Sequence, residues 1–373
     1  MKEKTSALFS EYVIDGVRQG LTPARMLLSC AADGALTIPD ERFEPVVDET
    51  VDVSPAGFEY DPEETAVYLE KTLSATEVRR CVPAPFAASF TCGKVAQALL
   101  DVIWRNGHFR LDDLSLRAEW RWDGRPIGRM AAFYASVEAV CEYIDLLGLT
   151  LKYISYSPAK ECTVSFKAGM SGIEDDDEWS EDPQAVRIGR RRLCPATLQD
   201  DPEAWIVYIP FDSCAYRLGG SALSEALDAR SPVAPDIRDG DYFIDCYEVV
   251  RELVEDGIVR AGAAVGEGGL LTALKRMCTP ETGASISIAD LRNAYAGTDS
   301  VRLLFAEVPG VLIQIDDADY DYLDAELLLQ DVAYFPLGHP VRGGQLTVDT
   351  VGKSGVQGIL ESLLNSQASE GED

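Results

Sequence analysis

Tyr216-Arg217-Leu218-Gly219-Gly220-Ser221-Ala222-Leu223 and Gly266-Glu267-Gly268-Gly269-Leu270-Leu271-Thr272-Ala273-Leu274 are two Gly-rich turns, each opening into an apolar, helix-prone run. The first N–H groups of such runs lack intrahelical partners, so turns of this kind suit phosphate. They lie within a block, Asp212 to Ile315, whose pattern alternates between helix and strand. Asp241 to Asp256 places Phe243, Ile244, Val250, Leu253 and Val254 inward and predicts a helix, with Gly257 as its stop. Strands are expected at Trp205 to Phe211, Ile258 to Val265, Ala284 to Ile288 and Val311 to Ile315, and helices at Gly269 to Met277 and Leu291 to Ala296. Alternation of this kind predicts an α/β domain.

Upstream, Lys94 to Trp104 reads as a helix with Val95, Ala98, Leu99, Val102 and Ile103 on one side. Leu114 to Trp122 alternates like a strand and sets Trp120 and Trp122 on the same side, where core packing is the favoured reading. Apolar residues recur at three- and four-residue intervals from Met130 to Leu147 and predict a core helix ending near Gly148. A strand follows at Leu149 to Ser155. Closer to the start, Ala7 to Gln19 reads as a short helix, and Pro39 to Glu64 shows no sustained period. An acidic run at Glu174 to Glu178 and a basic run at Arg190 to Arg192 bracket a polar connection that we take as a domain boundary. The expected division is therefore 1–80, a segment without an assigned role; 81–170; 171–345; and 346–373, a weak helix at Gly352 to Leu364 followed by an acidic, disordered tail. Gly352-Lys353-Ser354 echoes a phosphate loop, but Thr347 stands where the leading glycine belongs.

With 373 residues, 46% of them hydrophobic, the chain suffices for two ordinary domains. Thirty-three basic against sixty-three acidic residues give a formal charge of -30, which repels nucleic-acid backbones and anionic membranes. Neither class of partner is expected. No stretch approaches the ~20 uninterrupted apolar residues of a membrane span, and the opening Met1-Lys2-Glu3-Lys4-Thr5-Ser6 carries no secretory apolar run, so the cytoplasm is the expected location. The nine cysteines, Cys30, Cys81, Cys92, Cys141, Cys162, Cys194, Cys214, Cys246 and Cys278, contain no Cys-x-x-Cys pair, and reduced packing residues are expected. Histidine chemistry has only His108 and His339 to draw on.

Several separated stretches resemble, in family order, the second half of long-form phosphoribosylformylglycinamidine synthase. Ala96-Gln97-Ala98-Leu99-Leu100-Asp101 is similar to the family's Ala-Glu-Ala-Leu-Thr-Asn helix. Leu114-Ser115 followed by Ala118-Glu119-Trp120 is similar to Leu-Ser-Ala-Asn-Trp. Gly128-Arg129-Met130-Ala131 stands where the family has Gly-Glu-Asp-Ala, and Ala159-Lys160-Glu161-Cys162 where it has a phosphate- and metal-contacting Gly-Lys-Asp-Ser. Leu218-Gly219-Gly220-Ser221-Ala222, Gly268-Gly269-Leu270 and Leu304-Phe305-Ala306-Glu307-Val308-Pro309-Gly310 resemble family turns closely. Ala263-Ala264 replaces a family His-Asp pair.

The resemblance covers roughly residues 81 to 345 and implies a two-domain aminoimidazole ribonucleotide synthetase-like fold, mixed α/β and α+β, with an additional N-terminal segment. In the family the two halves pair through sheet edges into a pseudo-twofold barrel. The resemblance implies a family of ATP-dependent amidoligases of de novo purine biosynthesis, with ATP and Mg²⁺ as cofactors. It implies nucleotide contacts at Lys160, Glu161, Gly219, Gly220, Gly268, Gly269 and Glu307, with no catalytic or metal residue retained. The plainer alternative is that the glycines permit tight turns and close packing, that Glu307 is a helix-end acid and that Lys160 is a solvated surface lysine. Because the turn acids are replaced, an isolated chain is expected to be inactive. The expectation is a subunit or scaffold, with a non-catalytic nucleotide-binding or regulatory protein on the same fold as the alternative. Implied partners are a second copy of the chain, complementary synthase halves and a glutaminase subunit.

Overall fold

The computed structural model describes residues 7–40, 42–51, 81–105, 109–170, 192–227 and 233–349. Their strands form three sheets, a six-stranded one and two of three strands each. In the first large unit, α2 (Ala87–Ile103) and α3 (Arg129–Leu146) pack beside a sheet of order β5-β4-β6, made of β4 (Leu114–Trp122), β5 (Thr150–Pro158) and β6 (Thr163–Met170). The helix α3 is the crossover that lets β4 and β5 run parallel, and β6 returns antiparallel to β4. Alternation along β4 buries Trp120 and Trp122 at 0% and 1% exposure. Both meet the Phe133 ring edge-on, and their N–H groups are met by Ser136 Oγ at 3.0 Å and the Arg129 carbonyl at 2.7 Å. They are core residues, as their spacing implies.

The second unit is a six-stranded sheet of order β12-β9-β11-β7-β10-β8, built from β7 (Trp205–Pro210), β8 (Val259–Val265), β9 (Thr282–Ser287), β10 (Gly310–Ile315), β11 (Phe335–Arg342) and β12 (Leu346–Asp349). β7 and β10 are almost wholly apolar because both of their faces are buried. Val207, Ile209, Val311 and Ile313 join one core with α2 and with α5 (Gly240–Glu255), whereas Ile206, Tyr208 and Leu312 join a second core beneath α6 (Gly269–Met277). Each buried aliphatic side chain contributes roughly 1.5–3 kcal/mol, so the sheet ties the two units into one hydrophobic body. The polar exception in β10, Gln314, is 1% exposed. Its amide accepts from Gln199 N at 2.8 Å and donates to Gln199 O at 3.1 Å, so its buried polar atoms are satisfied.

Shorter helices complete this unit: α4 (Ala222–Ala226), α7 (Ala289–Ala294), α8 (Ser300–Phe305) and α9 (Tyr320–Leu329). The helix expected from Lys94 begins seven residues earlier, because Ala87, Thr91 and Cys92 continue the same buried face. With its preceding turn, Ala84–Ile103 is long and apolar enough to cross a membrane, yet Val95, Leu99 and Leu100 are fully buried against the protein core. All nine cysteines are free thiols, and the buried Cys30 and Cys141 sulfurs lie 3.5 Å apart.

The helix expected over Ala7 to Gln19 is not formed. Residues 7–9 make one helical turn, after which β1 (Tyr12–Ile14) and β2 (Val17–Arg18) form a hairpin. Its two-residue turn, Asp15-Gly16, has φ of 51° and 78°, the left-handed pair that Asp-Gly adopts readily. After α1 (Pro23–Ser29), β3 (Val46–Asp48) adds parallel to β1. The expected domain boundary, the helix at Gly352 to Leu364 and the acidic tail lie wholly or largely outside the described residues, as does His108. The His339 ring centre lies 4.2 Å from that of Trp205, the planes tilted by 50°, with Nδ1 3.0 Å from the Ala204 carbonyl.

The N-terminal segment is fastened at two points. Cys30 and Ala32 exchange backbone bonds with Leu151 at 2.7 and 2.8 Å, covering the start of β5. The Asp48 carboxylate accepts from the N–H groups of Gly128, Met130 and Ala131 at 2.9, 2.8 and 3.1 Å and so caps α3. Asp48→Ala leaves all three donors without that partner and is expected to cost about 2 kcal/mol. In thermal unfolding the midpoint should fall, and amide exchange should accelerate first over β1 to β3. Unchanged exchange there would show that the cap does not hold the segment.

Candidate functional site

The two Gly-rich turns meet. Gly219, Gly220 and Ser221 face Gly266, Glu267 and Glu307 across a cavity closed on its other side by α2, from which Phe90, Lys94 and Gln97 project. Backbone from elsewhere in the unit crowds the glycines. A Cβ on Gly219 would lie 2.4 Å from the Val233 carbonyl oxygen, and one on Gly269, at φ 73°, would lie 2.7 Å from the Leu304 carbonyl oxygen. No side chain fits either position.

Glu307 joins the turns. Its Oε1 accepts from Ala222 N, the first residue of α4, at 2.7 Å and from Gly268 N, ahead of α6, at 2.9 Å. The neighbouring donors are also engaged: Gly219 N with Val233 O at 2.8 Å, Ser221 N with Leu218 O at 3.1 Å and Gly269 N with Gly266 O at 2.9 Å. Ser224 N is capped by Ser221 Oγ at 3.2 Å. The sequence suggests N–H groups turned toward a phosphate; in the folded chain these donors are satisfied from within. Across the cavity Lys94 pairs with Glu267 and sits 5.3 Å from the centre of the Phe90 ring. That cation is already neutralised locally.

Asp212 supports the first turn from below. It is 1% exposed and accepts from Cys214 N at 2.8 Å, Arg238 N at 3.0 Å and Asp239 N at 3.1 Å. Burial pushes its carboxyl above the ordinary carboxylate range, and the N–H donors pull it back. The carboxylate thereby fixes the path of the chain into residues 213–221, an anchor not marked by any motif.

Of the residues implicated by resemblance, Gly219, Gly220 and Glu307 line the cavity, and Gly268 and Gly269 shape its wall. Lys160 and Glu161 do not line it. They are exposed on the short connection between β5 and β6, where Ala159 N bonds the Trp122 carbonyl at 2.9 Å and carries the chain over the end of β4. Only four residues separate Pro158 from Thr163, so the connection has no helix. Gln97 stands in the family-like stretch Ala96–Asp101, whereas Phe90 and Lys94 of α2 escape a motif search because their position follows from packing between units. At the Gly128 turn, the family acids are replaced by Arg129 and Met130, and the carboxylate present is Asp48 from β3, held by three N–H groups.

The cavity measures about 40 Å³, room for two or three waters; small-molecule sites occupy roughly 300–1,000 Å³. Among the described residues no group of three or more His, Cys, Asp or Glu side chains is placed to hold a metal. Mg²⁺ requires hard oxygen ligands in near-octahedral array. At that volume the cavity does not admit a nucleotide, and its carboxylates are engaged, Glu267 by Lys94 and Glu307 by two N–H groups, so that one carboxylate locks two turns. Glu307→Ala should cost about 2–3 kcal/mol, whereas Glu307→Gln, which keeps an acceptor, should cost less than half of that. Equal losses in urea unfolding would show that the charge, not the acceptor, matters.

Residues 213–328 match the family model described as AIR synthase related protein, C-terminal domain. The chain is 23% identical over 218 residues to human phosphoribosylformylglycinamidine synthase, covering 56% of this chain and 15% of that protein. It is 24% identical over 300 residues to the Drosophila melanogaster synthase, covering 75% of this chain and 21% of that protein. It thus spans about a fifth or less of the length of these relatives. Among solved structures, the fold is similar to Thermotoga maritima PurL complexed with FGAR, with a TM-score of 0.52 and 13% identity over 75% of this chain and 44% of that one. The chain is therefore a mixed α/β protein of AIR synthase-like fold, related to the phosphoribosylformylglycinamidine synthases.

Proposed function

We propose that this chain acts in purine biosynthesis as a non-catalytic subunit or scaffold that supplies a second-half-like surface to a phosphoribosylformylglycinamidine synthase-type assembly. The observation that carries the reading is Glu307: it occupies donors of both Gly-rich turns at 2.7 and 2.9 Å and leaves a cavity of about 40 Å³. A nucleotide would have to displace a tethered carboxylate, break the Lys94–Glu267 pair and force α2 away from the turns. Ala263 and Ala264, on β8, offer no group to move a proton. What the chain retains is shape, in the packed sheet and turns. The partners proposed are complementary synthase halves and a glutaminase subunit, the reacting groups coming from those chains.

Two measurements test the reading. Titration calorimetry of the full chain with ATP and Mg²⁺ should give no binding heat; saturable binding would overturn the loss of the nucleotide role. In a purine auxotroph lacking the synthase, the chain alone should not restore growth, whereas co-expression with a complementary half and a glutaminase should. Growth with the chain alone, or none with both partners present, would overturn the subunit role.

A further inference from the structure

The N-terminal segment contains a second cavity, far larger than the one between the turns, at about 720 Å³. Its charged lining consists of Glu11, Arg18, Arg25 and Arg42, brought together from the β1–β2 hairpin, α1 and the stretch before β3. In a chain with 63 acidic and 33 basic residues, three arginines against one glutamate reverse the local balance. Glu11 is taken by Arg18, at 2.5 Å. Neither the Arg25 nor the Arg42 guanidinium has a side-chain ion pair or hydrogen bond with another described residue. Guanidinium groups that line a cavity present planar forks of donors to an anion. The floor is apolar: Phe9 and Phe43 stack with ring centroids 5.7 Å apart and planes inclined by 26°.

We propose that this cavity is a binding site for a small organic anion, with a phosphate or carboxylate end held by Arg25 and Arg42 and a flat apolar body lying against Phe9 and Phe43. Guanidinium forks match the planar or tetrahedral oxygens of both groups bidentately, and aromatic faces supply contact area at little entropic cost. The volume lies in the range of small-molecule sites. The cavity shares no lining residue with the one between the turns, so the proposal does not depend on the reading of the Glu307 site.

The test is calorimetric titration of the full chain with phenyl phosphate, phthalate, inorganic phosphate and benzyl alcohol. Phenyl phosphate or phthalate should bind at one site and more tightly than inorganic phosphate or benzyl alcohol, and the tighter of the two identifies the preferred anionic group. Arg25→Ala and Arg42→Ala, both at exposed positions, should each weaken binding about tenfold or more. Glu307→Gln should leave it unchanged. Absence of saturable binding by both aryl anions at millimolar concentration would overturn the proposal, as would affinity indifferent to both arginine substitutions. Binding of inorganic phosphate as tight as that of phenyl phosphate would remove the aromatic half of it.

Discussion

Two helix-opening turns brought face to face present a cluster of N–H dipoles that must be compensated, since an unpaired buried donor costs about 1–3 kcal/mol. Glu307 meets this constraint with one oxygen shared between Ala222 N and Gly268 N. Its position follows from the strand after it: Gly310 starts β10, between β7 and β8, paired with Pro210 and Val265. The register of β10 thus sets how far the carboxylate reaches, and its reach sets how closely the turns approach. Each turn is also hemmed in by backbone from outside it, Val233 beside Gly219 and Leu304 beside Gly269, where any Cβ would clash. The Gly-Gly pairs and Glu307 form one interlocked unit.

That interdependence explains what the sequence discloses and what it withholds. The strands at Trp205–Pro210 and Gly310–Ile315 were legible because burial on both faces makes them continuously apolar. The helix Gly269–Met277 was legible from its periodicity. Apolar residues flanking Asp15-Gly16 fall near helical spacing and mask the hairpin, although the Asp-Gly dipeptide carries the stronger local signal. The strand Val46–Asp48, three residues long, has no period to detect. Phosphate-type turns were read from glycine spacing alone, and glycine spacing reports backbone shape without saying what occupies the shape. The occupant of these turns comes from residue 307, distant in sequence from the first of them. Lys160 and Glu161 were placed by a match in order along the chain, and a four-residue connection over the end of β4 leaves them outside the cavity.

The N-terminal segment is built on the same electrostatic logic. It is attached to α3 through Asp48 and to the edge of β5 through Cys30 and Ala32. Its Tyr12, fully buried, donates to the Ala7 carbonyl at 2.8 Å and meets Tyr134 of α3 at 5.2 Å between ring centres. Covering the start of β5 removes part of an exposed strand edge, a surface prone to pair with other chains. The segment therefore restricts where another strand can join its sheet.

Asp48, Asp212 and Glu307 repeat one device: a carboxylate from one segment accepts backbone N–H groups of another. Together they accept from eight donors, three each for the aspartates and two for Glu307. A formal charge of -30 makes every buried acid costly through repulsion, and charge-assisted bonds to N–H groups are the compensation available inside a fold. The same bonds decide the competition with a free anion. A tethered carboxylate sits at an effective concentration fixed by the chain, commonly millimolar or above for a flexible link and higher for a packed one. A phosphate arriving from solution must meet that concentration, lose its own hydration and approach through a field of like charge. In these turns the anion is supplied from within the chain, and it fastens them together.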